Sequence, residues 1–283
     1  MPETPSCFGK SNVRSFEKQN LVACTYQANL GGHYRVITVT WCRNSFTISV
    51  GDRQKQSTCR VDLRPWRLRR KQGSKRLRVD GAAADAVDVF WDLTSAKFFS
   101  CAEPKQGYCL AVVYDEEAVL LLGDMKEKAL RKTKSRAAPC EAVLLSRKEH
   151  VFGKQCFATT ARFGDGGRSH EVGIECHTNG SDDPVLCISV DKETVVEVKR
   201  LVWKFRGNDT IYVEGSPVQI LWDVHDWLFG PGFGHAVFLF RSAHEVDDKL
   251  MAAAPVAMSV DSRDAKFCLP SDFCLLLYAW KCD

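Results

Sequence analysis

VDVFWDLTSAKF (87–98) and VQILWDVHDWLF (218–229) place Val, Trp, Asp and Phe at matching positions in the two halves of one chain. Along a strand, side chains two apart share a face. Val87, Val89, Trp91 and Leu93 therefore point one way, as do Val218, Ile220, Trp222 and Val224. Asp88, Phe90 and Asp92 point the other way, as do Gln219, Leu221, Asp223 and His225. The pattern predicts that Trp91 and Trp222 are the bulky centres of two equivalent apolar core faces. Asp92 and Asp223, at the strand ends, are expected to accept hydrogen bonds from the turns that follow.

Other pairs occur in the same order. ISV at 48–50 matches ISV at 188–190, Trp66 matches Trp203, and LLL at 120–122 matches LLL at 275–277. Length differences fall where turn residues cluster, so the sequence reads as one β-unit written twice, with a join near 126–140. Period-two alternation predicts strands at 21–28, 33–42, 45–50, 57–63, 75–80, 86–93, 108–114 and 117–123 in the first half. In the second half it predicts 141–145, 155–163, 169–176, 185–190, 194–202, 209–213, 217–224, 235–241 and 273–280. No stretch of twelve residues carries a helical stripe; short helical turns are expected at TSAKFF and HDWLF. The expected fold is all-β: two tandem, internally repeated antiparallel domains, each a β-sandwich or a flattened barrel. The expected organisation is a flexible N-terminus (1–20), a first domain (21–125), a basic linker (126–138) and a second domain (139–283) with a long loop at 242–272.

Composition narrows the function. With 45% hydrophobic and 26% charged residues, the 283-residue chain has the balance of a folded soluble protein. No apolar run approaches the roughly 20 residues that cross a bilayer as a helix. The start lacks the apolar core of a secretory signal. A cytoplasmic, or cytoplasmic and nuclear, protein is expected. Thirteen cysteines include no Cys-x-x-Cys pair, which argues against a zinc site. Several lie in apolar runs as small hydrophobes, and reduced, structural thiols are expected.

The richest polar cluster is Asp223, His225 and Asp226 in WDVHDW, conceivable as a metal or acid–base set. The first copy has Asp92, Thr94 and Ser95 there, so a hydrogen-bonded corner is the favoured reading. No nucleophile elbow, metalloprotease helix, phosphate loop or kinase signature is present. No catalytic, cofactor-binding or metal-binding residue is assigned, no cofactor is expected, and the protein is read as not an enzyme. The net charge of +4 conceals two basic patches on an otherwise acidic chain. The first, 64–78, holds Arg64, Arg67, Arg69, Arg70, Lys71, Lys75, Arg76 and Arg78. The second, 126–136, includes Lys128, Arg131, Lys132, Lys134 and Arg136. Either could meet anionic lipid or RNA phosphates.

Many segments in order resemble a plant family known as domain of unknown function 868. They include PSCFG (5–9), VTWC (39–42), WDLTSAKF (91–98), LLLGD (120–124), KTKSR (132–136), VFGK (151–154), ISVD (188–191), WKFRGN (203–208), VQILWDVHDWLF (218–229) and LYAWK (277–281). The resemblance implies a land-plant protein with no family catalytic residues to carry over. The basic 67–78 hairpin departs from the family pattern, whereas KTKSR fits it. The expected function is a non-enzymatic binding or scaffold protein whose partners are other proteins. The alternatives are anionic-surface binding, to phosphoinositide membrane or RNA, through the two patches, and carriage of a small apolar ligand inside a barrel.

Overall fold

The computed structural model of the chain describes residues 20–52, 55–63, 71–79, 86–99, 101–153, 156–163, 168–178, 183–230, 234–242 and 273–281. Residues 1–19, Trp66, the cations Arg64, Arg67, Arg69 and Arg70, and positions 243–272 of the expected long loop lie outside the described residues. The first half runs β1 (Leu21–Leu30), β2 (His33–Cys42), β3 (Ser45–Gly51), β4 (Gln56–Asp62), β5 (Gln72–Arg78), β6 (Ala86–Asp92), β7 (Cys109–Tyr114) and β8 (Glu117–Gly123). Helix α1 (Lys126–Thr133) and the short β9 (Arg136–Ala137) follow. The second half runs β10 (Val143–Phe152), β11 (Cys156–Ala161), β12 (His170–Thr178), β13 (Pro184–Val190), β14 (Glu193–Val198), β15 (Arg206–Val213) and β16 (Ser216–Asp223). It ends with α2 (His225–Phe229), β17 (His235–Ser242) and β18 (Cys274–Trp280).

These strands form an all-β, sandwich-like assembly of several sheets, none of which closes into a barrel. The barrel that apolar-ligand carriage required is therefore missing. One sheet of nine strands, ordered β15-β16-β17-β18-β10-β1-β2-β3-β4, runs through both halves. The five-stranded sheet β5-β6-β7-β8-β9 faces β1–β4 across a core that includes Trp41, Phe46, Ile48, Val89, Trp91 and Leu110. The four-stranded sheet β11-β12-β13-β14 faces β15–β18 across a second core with Ile174, Leu186, Trp222, Trp227, Phe238 and Phe240. The halves are thus joined by backbone pairing: β10 runs antiparallel to β1 and parallel to β18.

The tryptophan strands occupy corresponding places. Trp91 and Trp222 are buried at 7% and 8% exposure. Across the ladder each meets a glycine: Gly73 pairs with Trp91 and Gly207 with Trp222. The indole lies against that glycine. A Cβ on Gly73 would stand 2.7 Å from Trp91 Cζ2, and one on Gly207 only 2.2 Å from Trp222 Cζ2. Replacing Gly207 by alanine is expected to cost about 1–3 kcal/mol through overpacking. Gly73→Ala should cost less, because its clash is shallower. Urea-unfolding midpoints of the two variants would rank them.

The strand-end aspartates behave alike as well. Asp92 Oδ1 accepts the Thr94 N–H at 3.0 Å, and Asp223 Oδ1 accepts the His225 N–H at 3.0 Å. The strand ends at Asp223, so His225 begins α2 and does not continue the Asp223 face.

The segment 126–138, expected as a linker, is ordered differently. α1 packs on the outer side of the five-stranded sheet, where Ala129 joins Phe90, Cys109, Ala111, Val113 and Ala118 in a third apolar cluster. An eight-residue helix whose apolar side is Ala129 and Leu130 with the preceding Met125, set among four cations, is too short to show as a stripe in the sequence. β10 likewise runs to Phe152, past the 145 expected, because its interior positions include Arg147 and Glu149.

Candidate interaction site at the β15 edge

Two sequence segments, WKFRGN (203–208) and WDVHDWLF (222–229), meet at one end of the nine-stranded sheet. The ladder pairs Arg206 with Asp223, and the guanidinium Nε lies 2.7 Å from Asp223 Oδ2. Trp222 Nε1 donates to the Lys204 carbonyl at 3.1 Å, and the Val224 N–H donates to the Phe205 carbonyl at 2.9 Å. These bonds seat Phe205 beside α2. Its ring is 5.1 Å from His225 and 5.9 Å from Phe229, and His225 is 5.4 Å from Phe229. The Arg206 guanidinium lies 5.7 Å from the centre of Phe205.

Within this group Phe229 is 49% exposed; Trp203, ahead of β15, is 81% exposed, and Tyr212, towards the other end of β15, is 74% exposed. Between Trp203 and Tyr212 runs β15, the outermost strand of the sheet, whose sole strand neighbour among the described residues is β16. It pairs with β16 without a bulge, and it contains no proline. At the opposite margin the edge differs: Ser57 on β4 donates a hydrogen bond to the Arg78 carbonyl on β5.

The polar cluster lies on the same end but does not converge. His225 Nδ1 meets Asp226 Oδ1 at 2.9 Å, while Asp223 turns to Arg206 and to the His225 backbone. The hydrogen bond from His225, stronger here than the cost of partial burial, lowers the Asp226 pKa. Among the described residues no group of three or more His, Cys, Asp or Glu side chains could hold a metal ion. The geometry is an ion-paired corner that stiffens the turn into α2.

The array continues inward through His235, which is 4.5 Å from Trp280, and His150, which stacks 4.8 Å from Tyr278. Trp280 Nε1 donates to His150 Nδ1 at 3.2 Å, which requires an unprotonated Nδ1. Burial, aided by Lys148 and His235, pushes the His150 pKa down to about 4. The unfolded chain, at the ordinary value near 6.5, then binds the proton more readily than the folded one. Stability is expected to fall as pH drops from about 6.5 towards 4, and His150→Phe should flatten that limb. Thermal unfolding across this range checks it.

The predicted cations are placed as follows. Lys128 Nζ binds the buried Asp92 at 2.6 Å, Arg136 binds Glu117 at 3.0 Å, and Arg76 faces Asp88 at 3.8 Å. Burial opposes ionisation of Asp92, but hydrogen bonds from Lys128 and Thr94 prevail and lower its pKa. Lys128 is thus engaged in holding α1 to the end of β6. Lys75, Arg78, Arg131, Lys132 and Lys134 are exposed, and Lys71 is half-buried. β5 is an outermost strand of the five-stranded sheet and α1 covers β6–β8, so the described cations of both patches belong to one sheet. Cys24, Cys42, Cys59, Cys101, Cys109, Cys140, Cys176 and Cys187 carry free thiols.

Sequence reasoning missed the Phe205–His225–Phe229 contact and the exposure of Trp203 and of Tyr212 on β15. Alternation shows which face of a strand is buried, not whether the strand has one neighbour or two. The residues it also missed at the seam of the halves are Arg147, Glu149 and Glu103, brought together from β10 and the loop before β7.

Fold and site together define a broad open β-sandwich protein with an aromatic-flanked edge strand that has one strand neighbour among the described residues. The chain belongs to the family described as plant protein of unknown function (DUF868), whose model matches residues 17–281. No curated protein and no solved structure matches it.

Proposed function

We propose that the protein is a non-enzymatic scaffold of the cytoplasm or nucleus, a duplicated β-unit that docks other proteins along β15. The observation that carries this reading is a bulge-free edge strand whose one strand neighbour among the described residues is β16, bracketed by Trp203 and Tyr212, both largely exposed. Natural sheets blunt such edges with proline, bulges or covering segments. An uncovered edge accepts an extended segment through backbone hydrogen bonds, and flanking aromatic rings supply anchoring area. The matched glycine–tryptophan pairs at 73/91 and 207/222 support the duplication.

The test is affinity capture from plant extract on the immobilised full chain, with Trp203→Ala/Tyr212→Ala and Thr210→Pro alongside. Proteins retained by the wild type and lost from both variants support docking at β15. An unchanged set contradicts it. A turnover abolished by one point substitution would overturn the non-enzymatic reading.

A further inference from the structure

β15 carries a charge on the face it turns towards the core. The ladder sets Gly207, Asp209 and Ile211 opposite Trp222, Ile220 and Val218 of β16, so all three lie on the core side of the shared sheet. Ile211 is buried there, whereas Asp209 is exposed at the margin. The neighbouring charges are engaged elsewhere. Arg206, on the opposite face, binds Asp223 at 2.7 Å, and Glu214 binds Arg168 at 2.8 Å. Among the described residues Asp209 has no cation within ion-pair distance.

The direction of the backbone groups follows from the turn. Glu214 and Gly215, with φ +50° and +80°, make the two-residue connection from β15 to β16. The residues flanking such a turn form a hydrogen-bonded pair, and the pattern alternates from there. Val213, Ile211, Asp209 and Gly207 therefore bond to β16, and Arg206, Asn208, Thr210 and Tyr212 direct their N–H and C=O groups the other way. The Thr210 N–H is not bare, because Asp209 Oδ1 accepts it at 2.8 Å. An inward-pointing acid on an edge strand blunts that edge against indiscriminate pairing.

We propose that Asp209 selects the segment that docks on β15: an extended strand with a lysine or arginine directly opposite it. This inference rests on the docking reading and names the chemistry of the partner. An incoming carbonyl that takes the Thr210 N–H displaces the carboxylate, which loses its hydrogen bond as the strand arrives. In an antiparallel addition the residue facing Asp209 occupies a non-hydrogen-bonded pair, where Cα atoms approach to about 4.5 Å and side chains are closest. A cation there compensates the carboxylate. A neutral side chain leaves it unpaired, and an acid repels it, so the edge rejects the wrong strands by their charge. A second copy offering its own β15 is rejected in the same way. Antiparallel pairing centred near Asp209 brings the two carboxylates opposite each other or one diagonal apart.

The test is fluorescence anisotropy of the full chain with labelled peptides of alternating threonine and valine whose central residue is lysine, glutamine or glutamate. The wild type should bind the lysine peptide about fivefold more tightly than the glutamine peptide, with the glutamate peptide weaker still. The preference should shrink as salt rises. Asp209→Asn, which keeps an acceptor for the Thr210 N–H, should bind the three alike, and Asp209→Lys should favour glutamate. Thr210→Pro removes an edge N–H that β16 does not use and should abolish binding of all three. Asp209 and Thr210 are exposed, and unaltered thermal unfolding confirms that each variant keeps its fold. Peptides bound alike by the wild type and lost in Thr210→Pro overturn the role of Asp209 and leave docking at β15 standing. Binding of none, or binding that survives Thr210→Pro, removes both.

Discussion

Replacing Arg147 by alanine is expected to destabilise the fold by about 3–5 kcal/mol, the range for removing one partner of a buried ion pair. Arg147 sits on β10 at the seam of the halves, on the core-facing side of the shared sheet, with its side chain 8% exposed. Its Nη1 lies 2.7 Å from Glu103 Oε2 of the first half, and its Nε lies 2.5 Å from Glu149 Oε1. Glu149 in turn accepts the Thr159 hydroxyl on β11 at 2.5 Å. The chain of contacts Glu103–Arg147–Glu149–Thr159 therefore stitches the two sandwiches where neither apolar core reaches. Removing the guanidinium leaves two carboxylates close together with little water, a larger penalty than the original pair contributed. Denaturant unfolding would show a lowered midpoint, and Glu103→Gln, which keeps the Glu149 contact, should cost less. An Arg147→Ala variant as stable as the wild type would mean that the seam is wet.

The second large effect is expected at Trp222. Trp222→Ala should cost about 3–5 kcal/mol, through lost transfer energy and the cavity left behind. The cavity cannot collapse easily. Gly207 forms its floor with no side chain to fill it, and β16 is held between β15 and β17. The substitution also removes the donor to the Lys204 carbonyl, which holds Phe205 in the aromatic group. Trp91→Ala should fall in the same range, with its loss at Phe46, whose ring is 5.7 Å away. A Trp222→Phe variant recovering most of the loss would assign it to volume.

Much of this architecture was legible in the chain. The alternation through VDVFWD and VQILWD placed both indoles on core faces, and the Asp–turn contacts followed from their position at strand ends. Turn-flanked apolar runs marked nearly every strand. What escaped the sequence shares a physical character. α1 earns its place by docking three apolar side chains among lysines, so its signal is tertiary. β10 carries charges on its interior face, and these are satisfied only by Glu103, far away in the chain. The sharing of one sheet by both halves depends on β10 lying between β1 and β18, a long-range pairing that no local pattern encodes. For the same reason the aromatic group at β15 was read as two separate motifs. The basic patches were visible as charge, but which cations are engaged internally, such as Lys128 on Asp92, depends on partners folded against them.

The account rests on one continuous sheet with a buried seam and, among the described residues, an open margin at β15. Hydrogen–deuterium exchange on the intact chain, resolved by peptide, tests this most directly. Amides of β1, β10 and β18 should be protected to the level of global unfolding, while half of those in β15, pointing away from β16, should exchange early. If β1 and β10 exchange as quickly as an edge strand while both cores stay protected, the halves are separate sandwiches and the shared platform does not exist.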